Sequence, residues 1–291
     1  MLCSTKNLRS AVFFLLSAVT ASGLSLSAAA GEKSDTAAED ELTVFAAASM
    51  TESLTKLADR YTAKNPGTSI SCNFDSSGTL KTQIEQGAHC DVFISAAPKQ
   101  MNELEEGDYL LEGSRLDLLE NKVALAVPEG NPKGIESFDL LAQALTECIG
   151  LSDTSSGIEI LLAMGNSDVP VGQYTQKIFD FYDLSEQELA DAGCITYGSN
   201  VKEVTTQVSE ASVDCGIIYQ TDAFSAGLTI VDTATADMCG QVIYPAAALR
   251  DASDPELALD FLSYLQSPDA RKIFEKTGFT PVTAEDETEK D

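Results

Sequence analysis

The most constraining stretch of this sequence runs from Thr43 to Tyr61, TVFAAASMTESLTKLADRY. Thr43, Val44 and Phe45 predict a short buried strand, three alanines let the backbone pass close to another group, and Ser49 opens a helix. Met50, Leu54, Leu57, Ala58 and Tyr61 share one face at helical spacing. Ser49 is therefore expected as the N-cap, with Glu52 three residues on completing a capping box. A helix N-terminus presents unpaired N–H groups and the positive end of a dipole, so beside a hydroxyl it is ready to receive an anion. The plainer alternative is that Ser49 only caps its own helix. Recurrence of the same device elsewhere separates the two.

Of 291 residues, 44% are hydrophobic, enough for one or two domains with substantial cores. Residues 1–30 carry Lys6 and Arg9, an apolar run from Ala11 to Val19, and small residues ending in Ala28-Ala29-Ala30. That is the pattern of a secretory signal peptide cut after Ala30, and the apolar run is short for a membrane anchor. The remainder holds 16 Lys and Arg against 46 Asp and Glu, a net charge of −30. Such a surface argues against nucleic acid as a partner, and an anionic ligand must be held by local dipoles against the overall field. Cys72, Cys90, Cys148, Cys194, Cys215 and Cys239 remain beyond the signal. In an exported chain they allow up to three disulfides, or they are small buried hydrophobes; spacing does not choose among the connectivities. There is no CxxC pair and His89 is the single histidine, which argues against a zinc site.

Residues 31–40 read as a flexible lead and 284–291 as a charged, disordered tail. Between them strands and helices alternate, predicting an α/β fold of mainly parallel sheets covered on both faces. Ser69–Phe74 is an expected strand, Asp75-Ser76-Ser77-Gly78 a turn, and Thr79–Gln86 a helix stopped by Gly87. Asp91–Ser95 is the next strand, and Pro98 opens a helix that ends before Gly107. Asn121–Pro128 and Val242–Leu249 are strands between which the pattern begins afresh. This predicts one lobe from 41–124 plus 247–283 and a second from 125–246. Two crossings make a hinge, and two lobes on a hinge make a ligand cleft.

The second lobe repeats the opening device. Asn200 precedes a helix with Val201, Val204 and Val208 on one face and Glu203 three residues after the cap, and Val169-Pro170-Val171-Gly172 leads into another helix. Four helix starts, at Ser49, Ser77, Val171 and Val201, are thus expected where strands or turns give way to helices, the side of an α/β sheet on which ligands sit. Converging, they would surround a small oxyanion with N–H and O–H donors and no full positive charge.

The strings TVFAAAS, FDSSGTL followed by DVFISA, VPVGQY, Asn200-Val201 at a helix start, GIIYQTDA, and Tyr244-Pro245 resemble the periplasmic molybdate-binding proteins of ABC importers, from Leu42 to Val282. The resemblance implies a two-lobed periplasmic-binding-protein fold of type II joined by two crossing strands. It also implies a non-enzymatic, monomeric, periplasmic or otherwise extracytoplasmic protein that binds molybdate or tungstate and delivers it to a membrane permease. Molybdenum would enter only as the bound oxyanion, with no cofactor. By motif, Ser49 and Ser77 would each give a hydroxyl and a backbone N–H, Val171 and Val201 backbone N–H groups, and Tyr219 its phenolic O–H. The family usually has alanine in place of Val171, residues 147–159 read as extra sequence, and six cysteines are more than expected. The alternatives are a binding protein for another oxyanion such as sulfate, and a secreted serine hydrolase using Ser77 or Ser49. The hydrolase would need His89 as base and has no Gly-x-Ser-x-Gly elbow. A pocket that only donates would also reject a ligand that must itself donate a proton.

Overall fold

The computed structural model describes residues 40–150 and 160–282. The expected signal peptide (1–30), the lead up to residue 39, residues 151–159 of the extra segment, and the tail (284–291) lie outside the described residues.

Strand β1 (Asp40–Ala47) passes through a 3-10 turn (Ala48–Met50) into α1 (Thr51–Lys64). Next come β2 (Thr68–Asp75), α2 (Ser77–Glu85), β3 (Val92–Ile94), α3 (Pro98–Glu106), β4 (Leu116–Asn121) and β5 (Val123–Val127). Then follow α4 (Phe138–Gly150), β6 (Leu162–Gly165), α5 (Pro170–Phe181), α6 (Glu186–Asp191), β7 (Ile195–Gly198) and α7 (Val201–Ser209). After β8 (Cys215–Tyr219), α8 (Gln220–Ala226), β9 (Thr229–Thr233) and α9 (Ala236–Cys239) come β10 (Val242–Ala248), α10 (Pro255–Leu265), α11 (Pro268–Lys276) and β11 (Thr280–Pro281).

The strands form two sheets, ordered β11-β4-β10-β3-β1-β2 and β7-β6-β8-β5-β9. β1 is parallel to β2 and β3, and β6 to β7 and β8. The remaining pairs are antiparallel, so each sheet is mixed rather than mainly parallel. The reversed strands are β10 and β11 in the first sheet and β5 in the second; β5 and β10 are those that enter from the other sheet. Lys122 alone separates β4 in the first sheet from β5 in the second. The return was expected at residues 246 and 247; β10 pairs with β3 and β4, so the whole strand lies in the first sheet and the return falls before Val242. Pro245 is tolerated in this interior strand because the ladder shifts register between Tyr244 and Pro245.

β1 sits inside its sheet with both faces covered, which is why it reads as a near-continuous apolar run. Val44 and Ala46 pack in one core with Leu54 and Leu57 of α1, while Phe45, pointing the other way, packs with Leu80 and Ile84 of α2. The strand thus delivers its C-terminal end, and the helix start after it, to a fixed place at the sheet edge.

One disulfide joins Cys148, near the end of α4, to Cys194, just before β7. With a sequence separation of 46 residues it contributes about 4 kcal/mol in the chain-entropy account. Cys72, Cys90, Cys215 and Cys239 are free. Burial pushes the Cys90 thiol up to about 12 and the half-buried Cys72 thiol up to about 11, so both behave as small apolar side chains at neutral pH.

Candidate oxyanion site

Each helix start leaves N–H groups without acceptors inside the helix, and local chemistry decides which stay free. At α2, Ser76 takes the Thr79 N–H on its Oγ at 3.1 Å and the Leu80 N–H on its carbonyl at 3.0 Å. Those of Ser77 and Gly78 remain. At α7, Asn200 Oδ1 accepts from Lys202 at 3.0 Å and Glu203 at 3.1 Å, leaving Val201. At α5, Pro170 has no N–H and Gln173 donates to the Val169 carbonyl at 3.1 Å, leaving Val171 and Gly172. At the 3-10 turn Thr51 N–H returns to the Ala48 carbonyl, leaving Ser49. Side-chain caps thus take up the later donors at α2 and α7, whereas α5 and the 3-10 turn have no such cap.

All four starts reach one small cavity, α5 through Val169 and Pro170. Its lining comprises Ala47, Ala48 and Ser49 from the first start, Asp75, Ser76 and Ser77 from the second, Val201 from α7, and Ala96, Val169, Pro170 and Tyr219. Val171 is not in this lining; its side chain is fully buried in the core, one residue beyond Pro170. The cavity measures about 10 Å³ to the centre of a water-sized sphere, and no lysine or arginine lines it. A far larger groove of about 690 Å³ lies between α3 and α5, but it is open, its wall carries Lys99, Glu103, Lys177 and Asp180, and none of the four helix starts lines it.

The wall combines both sheets. Tyr219 O–H points to the Ala96 carbonyl at 3.4 Å, Asn200 Nδ2 to Asp75 Oδ1 at 3.4 Å, and, beside the cavity, Ser225 Oγ donates to Glu52 Oε2 at 2.8 Å. Gly78 lies so close to the loop before α5 that a Cβ on it would stand 2.2 Å from the Asp168 carbonyl oxygen. Burial holds the phenols of Tyr219 and Tyr244 well above their usual range, so both remain protonated donors. Lys202, in the first turn of α7, puts its ammonium 2.7 Å from Asp222 Oδ1, outside the lining. Burial raises the Asp222 carboxyl and the Lys202 charge opposes that rise.

The structure corrects the reading of Ser49 as an N-cap. The helical turn begins earlier, after Ala47, and no side-chain cap forms. Ser49 Oγ instead lies 2.9 Å from Tyr244 Oη, and Glu52 bonds Lys56 and Ser225 rather than closing a capping box. Asp75, Ala96 and Tyr244 escaped the sequence reading. Asp75, at the head of DSSG, carried a local signal: its Oδ1 accepts the Ser76 N–H at 2.7 Å. Tyr244, quoted only within the Tyr244-Pro245 string and without a role, is set by strand pairing, and Ala96, after β3, is held by its N–H to Ser77 Oγ. His89 is remote from both serines: its Nε2 lies 3.2 Å from Asp91 Oδ2 and 3.3 Å from Ser253 Oγ. It has no geometry for activating Ser49 or Ser77.

Comparison with known proteins places this arrangement among its relatives. The sequence profile of bacterial extracellular solute-binding proteins matches residues 42–280. Over 249 residues, 84% of this chain and 91% of the relative, the chain is 32% identical to the molybdate-binding protein ModA of Haemophilus influenzae. The periplasmic molybdate-binding protein of Azotobacter vinelandii superposes with a TM-score of 0.70 at 20% identity, covering 83% of this chain and 100% of that one. The sulfate-binding protein SubI of Mycobacterium tuberculosis superposes almost as well, with a TM-score of 0.68 at 14% identity over 86% and 90% of the two chains. At these identities the two superpositions speak for the fold, and the fold is shared by binders of different oxyanions.

Proposed function

The chain belongs to the bacterial extracellular solute-binding protein family, and on that premise we propose that it captures molybdate or tungstate between two hinged lobes and passes it to the permease of an ABC importer. The observation that carries this reading is the convergence of helix mouths from both sheets, two serine hydroxyls and a buried phenol on one small cavity without a cationic side chain. The donors are Ser49, Ser77 and Tyr219 through their hydroxyls, joined by backbone N–H groups of Ser49, Ser77, Val171 and Val201. Val171 N–H joins the set by a small adjustment of the α5 mouth, since its neighbour Pro170 already lines the cavity.

A buried dianion is tolerated only when nearly all its oxygens are hydrogen-bonded. Each charge-assisted bond contributes roughly 1.5 to 3 kcal/mol, and helix dipoles add to it without introducing a counter-ion. Neutral donors select by size and number. The lobes follow the two sheets, with the crossings at Lys122 and between β9 and β10 as hinge.

Thermal unfolding tests the reading. Molybdate at 100 times its dissociation constant stabilises the native state by about 2.7 kcal/mol, an upward shift of about 5 to 10 °C for a chain of this size. Equal shifts with every divalent anion at equal concentration would show a general salt effect and contradict it.

A further inference from the structure

The proton order behind Ser49 can be read from its neighbours. Asn121, buried at the end of β4, accepts the Lys122 N–H on Oδ1 at 2.8 Å, which fixes the orientation of its amide because a backbone N–H can only donate. Its Nδ2 then donates to Thr221 Oγ1 at 3.0 Å and to Tyr244 Oη at 3.1 Å, using both amide protons. Tyr244 is completely buried and has one proton of its own. The neighbouring phenol of Tyr219 also interacts with Tyr244, but its own O–H is directed at the Ala96 carbonyl at 3.4 Å. Of the hydroxyls around Tyr244 Oη, that of Ser49 lies at a full hydrogen-bond distance, 2.9 Å.

Two arrangements are conceivable. If Ser49 donated to Tyr244, the phenolic proton would be buried without an acceptor, which costs about 1 to 3 kcal/mol. If Tyr244 donates to Ser49, the unpaired proton is that of Ser49, which lines the cavity. The second avoids the buried penalty and places the free donor where an anion would sit. Ser77 is set the same way by a different group, since its Oγ accepts the Ala96 N–H at 2.9 Å.

We infer that Asn121 and Tyr244 are positioning residues that hold the Ser49 hydroxyl as an obligate donor toward the bound oxyanion. This rests on the oxyanion-site reading above. Its consequence is selectivity: both serines present a free proton to the ligand, which favours an anion that accepts at every oxygen over one that carries a proton of its own. Asp75, also in the lining, accepts Ser76 N–H and Asn200 Nδ2 on its Oδ1.

A double-mutant cycle tests the relay on the full mature chain, with molybdate and inorganic phosphate as calorimetric probes and circular dichroism to confirm folding. Tyr244→Phe is expected to weaken molybdate binding about tenfold and to narrow the ratio between molybdate and phosphate affinities. In a Ser49→Ala background the same change is expected to alter affinity less than twofold, because Tyr244 acts through Ser49. Asn121→Asp, which replaces the donating amide with acceptors of the same shape, gives the same coupling if Tyr244→Phe fails to fold. Equal losses in both backgrounds, or no loss in either, would overturn the inference. A wild-type chain that binds sulfate and not molybdate revises the ligand, and the cycle run with sulfate then decides the relay by the same criterion. A wild-type chain that binds none of these anions overturns both readings.

Discussion

Gly78→Ala is expected to weaken oxyanion binding by about a hundredfold, or about 2.7 kcal/mol, while leaving the fold as stable as before. The added Cβ would stand 2.2 Å from Asp168 O and 3.0 Å from Asp168 C, both backbone atoms that cannot rotate away. The first turn of α2 and the loop before α5 must then separate by roughly an ångström, and hydrogen bonds weaken steeply with distance and angle. Ser77 and the α5 mouth would no longer reach the same ion. Within α2 itself alanine is the better helix former, by about 1 kcal/mol. Loss of binding therefore accompanies unchanged or raised unfolding temperature, which separates this effect from simple destabilisation. Small-angle scattering adds a second readout: the wild-type radius of gyration is expected to fall with saturating molybdate, whereas that of the variant stays at its ligand-free value. Wild-type affinity in the variant would show that the approach of Gly78 to Asp168 plays no part in binding.

Ser77→Ala and Tyr219→Phe are each expected to weaken binding at least tenfold, close to the lower end of one charge-assisted hydrogen bond. They do so for different reasons. Ser77 supplies a donor whose oxygen also accepts the Ala96 N–H, so the alanine variant loses the ligand contact and also leaves that N–H unpaired. Tyr219 makes only a long contact of 3.4 Å to the Ala96 carbonyl, so its O–H can turn to an anion at little cost, and phenylalanine removes that donor without opening space. Ser77→Ala should therefore also lower the unfolding temperature, while Tyr219→Phe should barely change it. Calorimetric titration with unfolding scans on the same samples checks both. Unchanged affinity in both variants would remove these residues from the site.

Much of this site was legible because it rests on local patterns. The strand from Thr43 to Phe45, the alanines after it, the DSSG turn and the Asn200-Val201 helix start each declare themselves within a few residues, and the structure builds helix mouths at all of them. What stayed hidden depends on distant partners. Ser49 carried the local signature of an N-cap, but its hydroxyl is engaged by Tyr244, 195 residues away, and the helical turn starts earlier. The string VIYPAAAL predicted a strand, yet nothing in it says that its neighbours are β3 and β4 or that a register shift accommodates Pro245. Cysteine spacing could not choose the pairing of Cys148 with Cys194, which depends on how α4 packs against α6. The tight seam between Gly78 and Asp168 likewise exists only once both sheets are in place.

The central claim is that neutral donors from both sheets form a site for a tetrahedral oxyanion of molybdate size. Titration calorimetry of the chain from Gly31 with molybdate, tungstate, sulfate and phosphate in turn tests it most directly. The account predicts tight one-to-one binding of molybdate and tungstate, with sulfate and phosphate at least a hundredfold weaker. Sulfate or phosphate binding as tightly as molybdate, or no binding of any of the four, would contradict it.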